Sequence, residues 1–89
     1  MITDLENEIA DKIFIKIEKW NLYLGDAGLA RKLAIECLSN LEKSSFDAAR
    51  ISLDSIYVKI GDQKESLPLI KFITPNQITD LEEILDRYK

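Results

Sequence analysis

Proton transfer in this sequence would have to rest on carboxylates, amines, phenols and one thiol, because the chain contains no histidine. Without imidazole there is no Ser-His or Cys-His nucleophile pair and no histidine metal ligand, which removes most hydrolase and zinc-site designs. The thiol, Cys37, falls on the apolar side of a helical stretch. A small buried hydrophobe accounts for it more simply than a nucleophile, which needs exposure and nearby positive charge. What is left is a patch in which Trp20, Tyr23 and Asp26 follow one another beside Lys19. An enzyme built here would use Asp26 and Tyr23 as an acid–base pair in a concave pocket. An interaction module would instead offer the two rings, half apolar and half polar, as a contact surface.

The remaining motifs reduce to local structure. Gly25-Asp26-Ala27-Gly28 is too short for a phosphate-binding glycine loop and lacks its lysine and hydroxyl partners. A helix stop at Gly25 and a helix start capped by Asp26 explain it, with no need of a pair between Asp26 and Arg31. No acidic cluster has the spacing of a calcium loop, and Glu82 and Glu83 fall on the solvent side of a helix. No metal or cofactor is expected.

The elements that position the patch follow from periodicity. Thr3-Asp4-Leu5-Glu6 is a capping box, and from it Leu5, Ile9, Ile13, Ile17, Trp20 and Leu24 recur at the helical period. This predicts one long first helix, with Trp20 in its core stripe and Tyr23 at the edge beside Lys12, Lys16 and Lys19. The rival reading is a strand over 13–17, where Ile, Phe, Ile, Lys, Ile is rich in β-formers. Ile15 and Leu22 lie nearly opposite the main stripe, so the second half of this helix is apolar on two faces and calls for something on both sides. A second helix is expected over about 27–43, with Leu29, Ala30, Leu33, Ala34, Cys37, Leu38 and Leu41 facing inward. A third, capped by Ser44 or Ser45, would bury Phe46, Ala49, Leu53 and Ile56. The period then shortens: 56–60 and 66–69 read as the arms of a β-hairpin around the polar turn 61–65, with Pro68 confining its strand to an edge. After an apolar connector at 70–73, Thr74-Pro75-Asn76-Gln77 starts a closing helix that buries Ile78, Leu81, Ile84, Leu85 and Tyr88 and sets Glu83 to pair with Arg87.

Composition bounds the function. An 89-residue chain holds one core, and three glycines with two prolines leave no room for a linker or low-complexity tract. Sixteen acids against twelve bases give a net charge of −4, which disfavours nucleic acid. One cysteine closes no intrachain disulfide, the N-terminal residues lack the features of a secretion signal, and no apolar run approaches the roughly 20 residues of a membrane span. A cytoplasmic protein, with no membrane partner, is the expectation.

The stretch Lys19-Trp20-Asn21-Leu22-Tyr23-Leu24-Gly25-Asp26-Ala27, with Leu67-Pro68-Leu69 later, resembles a family of short cyanobacterial proteins of unknown function. Its members carry a similar KW-x-LYL-x-DA stretch and a later short strand ending in Pro-Leu. Gly25 stands where that pattern has a small residue such as Ala. The resemblance covers nearly the whole chain and implies a cyanobacterial cytoplasm, but no chemistry.

These readings combine into a single α+β domain, mostly α, with three helices, a β-hairpin and a C-terminal helix in a winged-helix-like order. The leading expectation is a non-enzymatic interaction or structural protein that uses Ile15, Lys19, Trp20, Leu22, Tyr23 and Asp26 to meet a protein partner or a second copy of itself. The alternatives are a winged-helix nucleic-acid binder and an enzyme or small-ligand site at Tyr23 and Asp26. The helix that would enter the major groove carries Asp47 and Asp54 against Arg50, which counts against the first alternative.

Overall fold

At Ile13 the first helix turns into a sheet. Its N–H makes the last helical bond, to the Ile9 carbonyl at 3.0 Å, and its own carbonyl accepts the first ladder bond, from Leu24 N–H at 2.9 Å. The computed structural model describes residues 2–17, 19–59 and 66–88, without the side chain of Ile17. In it α1 (Ile2–Lys12) is followed by an antiparallel hairpin of β1 (Phe14–Ile17) and β2 (Trp20–Tyr23). The long first helix expected from periodicity therefore stops at Lys12, and the rival strand reading holds for 14–17. The physical reason lies in a second periodicity, which takes in Ile15 and Leu22, the residues that the helical stripe left over. Ile13 and Ile15 on one arm, and Leu22 and Leu24 on the other, alternate with period two, and β-branched isoleucines suit a pleated ribbon better than a helix.

Register pairs Phe14 with Tyr23, Ile15 with Leu22, Lys16 with Asn21 and Ile17 with Trp20. Ile15 is 2% exposed and Leu22 packs partly against the core, so the second apolar face that suggested a second copy is covered within the chain. Trp20, assigned to the core by the helical stripe, is instead 75% exposed.

A one-turn helix, α2 (Leu24–Ala27), leads into α3 (Ala30–Ser39). The junction corrects the reading of the glycines. Gly28, at φ +75°, is the left-handed residue, and Leu29 N–H to Leu24 O at 3.0 Å with Gly28 N–H to Gly25 O at 3.3 Å closes a Schellman turn. Gly25 lies inside α2 and serves space instead: a Cβ there would stand 2.8 Å from the Cβ of Ala10, too near for α1 to pass. Asp26 caps nothing; the N-cap of α2 is Tyr23, which makes no side-chain cap, and Asp26 sits exposed in its first turn. Thr3 is already within α1, and Glu6 reaches across to Arg31 of α3 at 3.0 Å rather than closing a capping box.

Ser44 caps α4 (Ser45–Ser55), accepting from Asp47 N–H at 3.1 Å. The inward face of α4 is Ala48, Ala49, Ser52 and Leu53 rather than Phe46, which is exposed under the Arg50 guanidinium, 3.5 Å from its ring centre. The second hairpin is β3 (Tyr57–Val58) with β4 (Leu67–Pro68), which leaves Pro68 on an edge as expected; the proposed turn at 61–65 lies outside the described residues. A 3-10 helix at Leu69–Phe72 makes the apolar connector, and α5 (Pro75–Asp86) closes the fold, capped by Thr74 with Pro75 in its first turn.

The fold is thus α+β and mostly α: three principal helices, a hairpin and a closing helix in the expected order, with an unexpected hairpin and a one-turn helix between the first two principal helices. One core joins Leu5 and Ile9 of α1, Leu33 and Cys37 of α3, Leu53 of α4, Leu69, and Ile78, Leu81 and Leu85 of α5. Ile15 and Leu24 enter that core from the first hairpin and α2, which fixes where the ribbon leaves the body.

Candidate functional site

The root of the first hairpin is held by one side chain. Since the Ile13 carbonyl takes its ladder bond from Leu24 N–H, the alternation of an antiparallel ladder turns the Phe14 N–H away from β2. Gln77, buried in α5, accepts that N–H on its Oε1 at 2.8 Å and donates through Nε2 to Asp80 at 2.9 Å. Its own N–H goes to Thr74 Oγ1 at 3.3 Å. The sequence shows Gln77 as the third member of a capping box, and that plausible local role conceals the long-range one. The Phe14 and Tyr23 rings, 5.2 Å apart and tilted by 58°, pack across the strands at the same level.

Beside this root lies a cleft of about 390 Å³, lined by Asp11, Lys12, Tyr23, Asp80, Glu83, Ile84 and Arg87. Its two cations are already engaged: Glu8 binds Lys12 at 3.5 Å and Arg87 at 2.9 Å, and it also accepts the Tyr88 hydroxyl at 3.2 Å. Arg87 therefore ties α5 to α1 rather than pairing with Glu83 along its own helix. Partial burial, followed by the hydrogen bond and charge of Glu8, holds the Tyr88 phenol above its ordinary value. Glu82, expected in solvent, is partly covered and meets Arg50 of α4 at 3.4 Å. The cleft takes in Tyr23 but not Asp26, so the two groups named for acid–base chemistry are not brought into one pocket. Among the described residues no three acids, cysteines or histidines gather as metal ligands, and Cys37 is fully buried beside Ser52 with its thiol pushed up to about 11, chiefly by burial.

At the far end the hairpin leaves the core. Trp20 stands outside, and Lys16, Lys19 and Asn21 are exposed as well, Lys16 and Asn21 on the face of the ribbon opposite Trp20. Of the six residues named from sequence as an interaction patch, the structure divides the set by depth. Ile15 and Leu22 anchor the ribbon, Tyr23 (38% exposed) borders the cleft, Lys19 and Trp20 form the outer end, and Asp26 lies apart on α2. The other sequence candidate, α4 as a groove-reading helix, is weakened further because Arg50 is engaged by Phe46 and Glu82. Among the described residues no helix is long and apolar enough to cross a membrane.

The chain is 30% identical over 90 residues to Thylakoid-associated protein slr0729 of Synechocystis sp. (strain ATCC 27184 / PCC 6803 / Kazusa), an alignment covering 99% of this chain and 89% of that protein. No solved structure matches it. The resemblance read from the Lys19–Ala27 stretch, to cyanobacterial proteins of unknown function, agrees with these findings. Matched over residues 2–88, the chain belongs to the family described as Protein of unknown function (DUF3181).

Proposed function

We propose that this chain is a non-enzymatic docking module that attaches from the cytoplasmic side to a thylakoid-type membrane through the outer end of the β1–β2 hairpin. The observation that carries the reading is Trp20, the chain's only tryptophan, held 75% exposed at the end of a ribbon whose other end is locked in the core. A large aromatic ring left in water on a rigid support is a contact residue without a contact. The relative's description as thylakoid-associated supplies the place where that contact would be made. The absence of histidine from the sequence and a cleft that takes in Tyr23 without Asp26 favour docking over catalysis.

The test is sedimentation with isolated thylakoid membranes. Wild-type protein should pellet with them, and Trp20→Ser, whose helical circular dichroism should be unchanged because the side chain lies outside the core, should stay in the supernatant. Equal pelleting of the two, or no pelleting of the wild type, contradicts the proposal.

A further inference from the structure

Resting on that docking role, we infer that the surface which the hairpin meets is the lipid itself, at the headgroup level of an anionic bilayer, with Trp20 seated at the interface and Lys16 and Lys19 over the headgroups. Three features lead there. The first is the shape of the outer end. Two strands of four residues each, one ladder spacing of roughly 5 Å apart, present a narrow edge. A stable protein–protein contact covers about 800 Å² on each partner and rings its central aromatic with flat surface that excludes water. A narrow ribbon whose end carries one indole among the described side chains lacks that surround, whereas an indole at the water–hydrocarbon boundary needs none, because its ring and N–H face the two phases.

The second feature is the arrangement of charge. The chain as a whole carries −4 and should be repelled by an anionic surface. The acids near the hairpin, however, gather at its root, where Asp11, Asp80 and Glu83 line the cleft and Asp26 is exposed on the adjoining α2. Lys16 is exposed on β1 and Lys19 just before β2, against the single Glu18 that lies between them in the sequence. Three to four residues of extended chain separate root from end by roughly 10–13 Å. That exceeds a Debye length of about 8 Å at physiological ionic strength, so a surface touching the outer end feels the lysines while the root acids are largely screened.

The third feature is stiffness. The bond from Phe14 N–H to Gln77, the Phe14–Tyr23 ring contact and the burial of Ile15 fix the direction in which the ribbon points. The root of the ribbon is therefore in place before Trp20 meets the surface, which spares part of the ordering cost.

The single tryptophan makes the test direct, since all indole emission comes from Trp20. The purified chain is titrated with vesicles of mixed phosphatidylglycerol and phosphatidylcholine, and separately with phosphatidylcholine alone. Emission and acrylamide quenching are followed at low and at high salt. The expected result is a blue shift and reduced quenching with the anionic vesicles, reversal by high salt, little change with phosphatidylcholine alone, and a roughly fivefold weaker partition for Lys19→Gln. An unchanged spectrum with anionic vesicles, from a protein that still pellets with thylakoid membranes through Trp20, assigns the contact to a membrane protein and overturns this inference while leaving the docking role intact. Equal shifts with both vesicle types, or an unaffected Lys19→Gln, overturn the part given to charge. A protein that pellets with neither vesicles nor thylakoid membranes removes the docking role as well.

Discussion

Cys37 shows how far burial alone can settle a residue's role. It is fully buried among apolar groups, and desolvation raises its thiol from 9.0 to about 11, with the Ser52 hydrogen bond opposing and the Glu36 charge adding. Near neutral pH burial keeps it a thiol, which suits a small core residue better than a nucleophile, for which exposure and nearby positive charge are needed. The sign of its effect on stability follows. Above about pH 9 the unfolded chain loses this proton while the folded chain keeps it, so the unfolded state binds fewer protons and stability falls until about pH 11. The loss across that window is roughly 2 to 3 kcal/mol. Chemical denaturation of the wild type and Cys37→Ala at stepped pH should show the mutant, whatever its baseline cost, falling less steeply over that range. Parallel curves would show that the thiol is not held neutral. This much was legible in the sequence, since Cys37 stands in a helical run with Leu33, Ala34, Leu38 and Leu41.

Among the elements, the three principal helices, the second hairpin and α5 follow from period, cap and proline, and the sequence shows each of them. The first hairpin is the instructive difference. Ile13, Ile17, Trp20 and Leu24 satisfy the helical period, but two paired strands in which Ile17 lies opposite Trp20 also return apolar residues at three- and four-residue intervals. The discriminating residues are Ile15 and Leu22, which a helix leaves on the wrong side and a ribbon turns inward. What no local pattern reveals is the tie between elements, for Gln77 and Phe14 are 63 residues apart. Because Gln77 is buried and gives Phe14 N–H its acceptor, Gln77→Ala should leave that donor without its partner and destabilise the chain by about 1–3 kcal/mol. It should also speed amide exchange in 14–23 more than in α3. A mutant of native stability with unchanged exchange would mean that the hairpin needs no support from α5.

The whole molecule, 38 × 21 × 21 Å in extent, is a helical body with a ribbon fixed to it. Surface ion pairs, partly covered in the second case, link α1 to α3 through Glu6 and Arg31, and α4 to α5 through Arg50 and Glu82, and each adds only about 0.2–1 kcal/mol. The body is held mainly by its core, and the ribbon extends that core outward to an exposed indole. Other exposed apolar residues, Ile35 on α3 and Phe46 and Ile51 on α4, are competing contact points for any partner. Amide hydrogen exchange, read by mass spectrometry on the chain free and bound to thylakoid membranes, separates them from the hairpin. Docking through the hairpin predicts added protection across 14–23 on binding, with α3 and α4 exchanging as in the free chain. Protection over α3 and α4 with 14–23 unchanged would contradict it.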